Sequence, residues 1–223
     1  MQKNRAKLEE PKTKSGIIKV AVVEDNETIR EGLKILIDSA KGFACNALFP
    51  DCESLIDNYK ELDADILLID IGLPGMNGIE GIKKIKSLIP QLTILVLTVY
   101  EENDLVFYAL CAGASGYIVK KTPPSKMLAA IKESYYNCTP INSKIAFKVL
   151  NLFKQKKNFL NGSEKIELNT RENEILQYVI EGNNVKAIAD LMKSDIDTIN
   201  KDFKNIYEKL HRLYRISNNN GDK

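Results

Sequence analysis

Residues 65–78 read DILLIDIGLPGMNG, and this stretch decides the fold. Ile66, Leu67, Leu68 and Ile69 form a short, continuous apolar run. Such a run fits a strand buried on both faces of a parallel sheet. It stops at Asp70. Gly72, Pro74, Gly75, Asn77 and Gly78 follow, dense enough in turn-forming residues to reverse the chain sharply. Ligands of open α/β sheets bind outside the carboxyl ends of the strands, where Asp70 stands. Taken alone, Asp70 reads equally well as the cap of its turn, so its neighbours in the fold must decide.

Working outward, the same alternation repeats. IIKVAVV (residues 17–23) is a β-branched strand, and Phe43 to Phe49, Thr93 to Leu97 and Gly116 to Val119 are further strands. Between them lie amphipathic segments. Ile29, Leu33, Leu36 and Ile37 share one helical face, as do Ile79, Ile82, Ile85 and Ile89. Ser54 to Tyr59 and Asp104 to Ala112 read as shorter helices. A last helix begins at Pro124 and carries Met127, Leu128, Ile131 and Tyr135. Five β-α units in strict alternation predict an α/β domain with a five-stranded parallel, doubly wound, flavodoxin-like sheet over residues 17–138.

The strand ends carry the polar chemistry. Strand one ends in Glu24 and Asp25, strand three in Asp70, strand four in Thr98 and strand five in Lys120. A parallel sheet brings these ends to one edge, so three acids, a hydroxyl and an amine meet in one cleft. Each has an ordinary reading as a helix-start acid, a turn residue or a solvated lysine. Together they point to a divalent cation held by hard oxygen ligands, which suits Mg²⁺. Such an ion would neutralise phosphate oxygens beside a carboxylate nucleophile.

The segment from Ile17 to Asn137 resembles the receiver domain of two-component response regulators. The matching residues are Glu24-Asp25, Asp70, Pro74, Gly78, Thr98 and Lys120, with Tyr117 at the switch aromatic position. The resemblance implies that Asp70 accepts a phosphoryl group from a sensor histidine kinase. It also implies that Glu24, Asp25, Asp70 and the Gly72 backbone carbonyl hold Mg²⁺. Thr98, Lys120 and Tyr117 would then bind or sense the phosphoryl group. A phosphatase of the haloacid dehalogenase type also uses an aspartyl nucleophile, with a second aspartate two residues on as acid/base. Here that residue is Gly72, which favours a switch over an enzyme.

Beyond residue 138 the pattern changes. Residues 139–166 read as a linker with a helix whose Ile145, Val149, Leu150 and Phe153 share a face, followed by the basic stretch KQKKNFLNGS at 154–163. Residues 167–216 read as a small all-α helix-turn-helix domain. In it Thr170 is a candidate N-cap, and the third helix is expected over about Ile196 to Leu210. The domain resembles the LuxR-type output module of NarL/FixJ regulators through Thr170-Arg171-Glu172, Gly182, Ile188-Ala189, Thr198-Ile199 and Asn205-Ile206-Tyr207. That resemblance implies transcription regulation by a DNA-bound protein that dimerises when phosphorylated. Thr198, Asn200, Lys201, Lys204 and Asn205 are expected on the exposed side of the third helix, with Arg171 adding a phosphate contact.

The recognition helix departs from its family, which usually has V-K-x-H where this chain has Ile199-Asn200-Lys201-Asp202. Leu168 to Arg215 carries eight basic and eight acidic residues, a net charge of zero. Phosphate neutralisation supplies most non-specific DNA affinity, so the alternative reading is a module that binds a protein partner instead. The last residues, RISNNNGDK, look too short and polar for a further helix, and 217–223 reads as a tail.

The totals fit this picture. The chain has 223 residues, 44% hydrophobic and 28% charged, with a net charge of +2. No apolar run reaches the roughly 18 residues of a membrane span. Cys45, Cys52, Cys111 and Cys138 form no C-x-x-C pair and are expected to be reduced, in a cytoplasmic protein. Residues 1–16 lack a signal-peptide core and read as a disordered tail.

Overall fold

The computed structural model describes residues 16–99, 104–136, 142–156 and 166–219. Most of the N-terminal tail, Cys138, residues 157–163 of the basic stretch and residues 220–223 lie outside them.

The five strands are β1 (Ile18–Val23), β2 (Phe43–Phe49), β3 (Ile66–Asp70), β4 (Thr93–Thr98) and β5 (Gly116–Val119). They pair in the order β2-β1-β3-β4-β5, all parallel. All five residues of β3 are buried, because β3 is the middle strand and is covered on both faces. The period of two sorts its side chains. Ile66 and Leu68 join Val20, Val22, Leu95 and Leu97 under α1 (Glu27–Ser39) and α5 (Pro124–Tyr136). Leu67 and Ile69 join Ala21, Val23, Ile94 and Val96 under α2 (Cys52–Asp57), α3 (Gly78–Leu88) and α4 (Asp104–Ala112). This second cluster does not end with the sheet domain. It continues through α6 (Ser143–Lys156), α7 (Thr170–Ile180), α8 (Val185–Leu191) and α9 (Ile196–Asn219). Ile145, Val149, Leu150 and Phe153 are all buried, as their spacing predicts.

Three boundaries differ from expectation. The second helix starts at Cys52 rather than Ser54, because the Asp51 side chain caps it by accepting from Ser54 N at 2.7 Å. Thr170 is the first helical residue of α7, not its cap. Asn169 caps instead and forms a capping box with Glu172, each side chain accepting from the other's backbone N–H at 2.8 Å. Third, α9 does not stop near Leu210. It runs unbroken to Asn219, and Leu213 in the added turns is fully buried. The polar tail sequence conceals this, because Leu213 extends the buried stripe of Ile199, Phe203, Ile206 and Leu210 by only one more turn before the polar residues begin.

Two glycines have opposite roles. A Cβ at Gly78 would lie 2.1 Å from the Asp70 carbonyl oxygen and 2.8 Å from Ile71 Cα, so α3 starts directly against the backbone that presents Asp70. Gly32 sits exposed within α1, with nothing within 4 Å of a Cβ. Gly32→Ala should therefore raise stability by up to about 1 kcal/mol, as the helix loses a flexible residue. Gly78→Ala should lower it by about 2 kcal/mol or more, because backbone must move. Urea denaturation of the two variants checks both signs.

Candidate functional site

At the carboxyl edge of the sheet, β1, β3 and β5 bring four charged side chains together. Glu24 is buried, Asp70 is 8% exposed and Thr98 is buried beside them. Asp25 is exposed. Carboxylate oxygens of Glu24, Asp25 and Asp70 all lie within 4.8 Å of one another. Lys120 Nζ donates to Asp70 Oδ2 at 2.8 Å and to Glu24 Oε1 at 3.0 Å. It also lies 2.7 Å from Glu24 Oε2, without hydrogen-bond alignment, and that oxygen is buried with no hydrogen bond. The three acids and the amine read at strand ends are thus in one place, with the end of β4 alongside.

The local backbone explains the convergence. Asn26 caps α1 by accepting from Ile29 N, and Arg30 Nη1 donates to the carbonyls of Glu24 at 2.7 Å and Asp25 at 3.2 Å, so the acidic turn is held from outside. Ile71 O accepts from Gly78 N at 3.1 Å, closing the loop after Asp70. Glu53 accepts from Met76 N and steadies the same loop from α2. Lys120 N donates to Thr98 O at 2.7 Å, which keeps the amine in register with β4. Sequence reading had no signal for Arg30 or Glu53, since both act through backbone brought near only by folding.

The electrostatics follow from burial. Burial raises the Glu24 carboxyl above its ordinary range, and its hydrogen bond to Lys120 only partly offsets this. For Lys120 burial works to lower the ammonium, but the hydrogen bonds to Asp70 and Glu24 prevail and the net shift is upward. Three carboxylates face one ammonium, so the site retains a formal charge near −2. Oxygen donors, an excess of two negative charges and an open flank at Gly72 suit a divalent hard cation. A Cβ at Gly72 would stand 3.7 Å from Asp70 Oδ2, so nothing but hydrogen intrudes there.

Of the output residues, Thr198, Asn200 and Arg171 are placed differently from expectation. Lys201, Lys204 and Asn205 are exposed. Asn200 is not: it is 6% exposed, and α9 packs against α4 of the sheet domain. Asn200, Lys201 and Lys204 line a cavity of about 550 Å³ with Lys86, Tyr207 and His211. Thr198 is half-buried, its hydroxyl and backbone N–H both donating to Asp195 at 2.7 Å. Arg171 is not offered to phosphate either. Its guanidinium donates to Asp202 Oδ2 at 2.7 Å and to Ser194 Oγ at 2.9 Å. Asp202, the departure from the family's histidine, is thus a structural partner. Lys209 pairs similarly with buried Glu172 at 2.6 Å.

Tyr117 lies on β5, and its hydroxyl accepts from Asn142 Nδ2 at 3.0 Å. Asn142 is therefore a residue of interest that no motif marks in the sequence.

A parallel α/β domain with three acids and a lysine at its strand ends, joined to a helix-turn-helix, defines a response regulator. Residues 20–132 match the family described as response regulator receiver domain. The transcriptional regulatory protein LnrK of Bacillus subtilis is 30% identical over 200 residues, covering 87% of this chain and 91% of LnrK. The oxygen regulatory protein NreC of Staphylococcus aureus is 28% identical over 197 residues, covering 86% and 91%. Among solved structures, a LuxR-family two-component response regulator from Aurantimonas sp. SI85-9A1 is 31% identical with a TM-score of 0.51, covering 54% of this chain and 86% of that one. The response regulator RcsB in complex with DNA is 25% identical with a TM-score of 0.52, covering 88% and 93%. The chain belongs to the response regulators, and within them to the NarL/FixJ type. Among the described residues no helix is long and apolar enough to cross a membrane.

His211, the chain's only histidine, is partly buried at the seam between α9 and α4. Burial, with Lys86 nearby, pushes its pKa down to about 4, although hydrogen bonding to the backbone at Ala114 and Leu110 works the other way. The folded chain therefore binds this proton less readily than the unfolded chain, whose histidine titrates near 6.5. Stability from this group is complete above that value and is lost as pH falls toward 4. At pH 5 the loss should reach up to about 2 kcal/mol relative to pH 7. Comparing urea midpoints of the native chain and His211→Gln at both pH values isolates it, since the other acid-sensitive groups are common to both.

Proposed function

We propose that Asp70 is the phosphoacceptor of this response regulator, loaded by a sensor histidine kinase, and that the helix-turn-helix regulates transcription by binding DNA. The observation that supports this most is the contact of one half-buried ammonium, Lys120, with Asp70 at 2.8 Å beside two further carboxylates. On this reading residues 17–138 receive the signal, 139–166 connect and 167–216 deliver it.

Glu24, Asp25, Asp70 and the Gly72 carbonyl fit Mg²⁺, which would supply charge neutralisation for an incoming phosphoryl group. The chain's own residues do the rest. Asp70 Oδ attacks phosphorus and the donor's leaving group departs with the bonding pair, forming a mixed carboxylic–phosphoric anhydride. Lys120, already within reach of Asp70, follows the charge onto the phosphoryl oxygens as a point cation. Thr98, buried at the end of β4, is placed to hydrogen-bond the same group. Position 72 carries no acid, so the anhydride lacks the acid/base that a phosphatase of the haloacid dehalogenase type places two residues on, and persists as a signal. Phosphorylation is then read out through the surface that carries Tyr117 and through dimerisation.

On the output side, Lys201, Lys204 and Asn205 remain available to a duplex on the exposed part of α9, whereas Asn200 becomes so only when α9 leaves the sheet domain. RcsB, similar over most of this chain, has been solved as a DNA complex, and that likeness supports DNA over a protein partner.

Incubation with a small-molecule phosphodonor should add one acid-labile phosphoryl group in the presence of Mg²⁺ and none after chelation. Asp70→Asn should abolish the adduct, and labelling that persists in that variant would place the acceptor elsewhere. For the output, the affinity of the phosphorylated chain for duplex DNA should fall steeply with salt. Lys201→Ala and Lys204→Ala should each flatten the log–log slope by about one. A salt-independent affinity, or slopes in both variants unchanged from that of the native chain, would favour a protein partner.

A further inference from the structure

The cavity beside Lys201 and Lys204 lies at the amino edge of the sheet, opposite the edge that carries Asp70. Its volume of about 550 Å³ is that of a small-molecule site, and it lies where such sites concentrate, between two domains. The sheet domain contributes Thr93 and Ser115, at the starts of β4 and β5, and Tyr135 and Tyr136 at the end of α5. These two tyrosine rings meet edge to face, 5.0 Å apart. The facing wall is α9, whose Asn200, Lys204, Tyr207 and His211 recur every three or four residues and so form one stripe.

One of its buried polar atoms lacks a partner. His211 Nε2 is buried without a hydrogen bond, while the same imidazole is hydrogen-bonded to backbone at Leu110 and Ala114. An uncharged imidazole has one donor nitrogen and one acceptor. With the donor turned to backbone carbonyls, Nε2 is an acceptor, and buried acceptors are rarely left unpaired. Seven residues earlier, two helical turns or about 10 Å along the axis, Lys204 stands exposed, with Lys201 a turn beyond. Asp197 and Glu208 also line the cavity, each four residues from one of these lysines. Lys86, held by the carbonyls of Pro90 at 3.1 Å and Leu92 at 2.7 Å, is the third cation, so the lining carries three cations to two acids. Such a lining suits a ligand with an N–H donor at one end, an anion at the other and a flat ring between them for the tyrosines. We propose that the cavity is a binding site for a purine nucleoside monophosphate, with its base amine donating to His211 Nε2, its ring against the tyrosines and its phosphate paired with Lys204 and Lys201. Two lysines match a phosphate dianion better than a single carboxylate. The site shares no residue with the acidic edge and needs nothing from phosphorylation. On the DNA reading the same two lysines serve a duplex, so bound nucleotide and DNA exclude each other.

Calorimetric titration of the full chain with AMP tests the site, with EDTA present so that the acidic edge holds no cation. One AMP should bind per chain. Adenosine and inorganic phosphate each carry half of the chemistry and should bind at least about tenfold more weakly. Lys204→Ala should weaken AMP about tenfold and leave adenosine unchanged, whereas His211→Phe should weaken AMP about tenfold and leave phosphate unchanged. Lys204 is exposed, so its variant keeps the fold and carries the test even where His211→Phe does not fold. As the only histidine, His211 gives one set of imidazole proton signals, which should move on saturation with AMP in the native chain. No binding of AMP, native affinity in Lys204→Ala, or an imidazole spectrum unmoved at saturation would each overturn the site. Phosphate bound as tightly as AMP would reduce it to lysines attracting an anion and would overturn it too.

Discussion

The structure depends on one half-buried ammonium. Two carboxylates from separate strands, Glu24 and Asp70, both approach Lys120 within 3.0 Å at the edge of a dry sheet. Burying such charges without a partner costs several kcal/mol each. Lys120 reduces that cost without removing it, since Asp25 leaves the cluster with more negative than positive charge. This imbalance makes the edge receptive to a cation and, through it, to an anion. The geometry around it, from the Gly78 approach to the Arg30 bridge, serves to keep the acids close despite their repulsion.

Most of the sheet domain was legible in the sequence because its signals are local. A buried strand announces itself by an apolar run, and a residue at a strand end has its position fixed by topology alone. Glu24, Asp25, Asp70, Thr98 and Lys120 all follow from that. Arg30 and Glu53 were not legible, because each acts on backbone far along the chain or across a turn. The output domain was read less well for the same reason. Its helices carry a clear period, but which side of α9 faces water depends on a second domain. Asn200 looks exposed when α9 is judged on its own three-helix bundle, yet it is buried and lines the cavity that α9 shares with the sheet domain.

The departures in the output module also change meaning with their partners known. Asp202 looked hostile to DNA as one more acid on a recognition helix. Paired with Arg171, it removes one positive and one negative charge from the outer surface at once. Glu172 and Lys209 do the same within the core of the module. The neutral total of eight acids and eight bases therefore conceals an uneven surface, in which Lys201 and Lys204 stand apart from the internal pairs.

The apolar cluster that begins between the sheet and α3 does not close at the end of the sheet domain but passes into α6 and the output helices. The two modules are thus not interchangeable parts on a string. A receiver grafted from a relative would have to bring an α4 surface shaped for α9 and a backbone that meets His211. It would also need a tyrosine hydroxyl where Asn142 reaches for one. Recombination between such regulators should succeed when the exchanged segment carries both sides of this seam, and evolution of one module is constrained by the shape of the other.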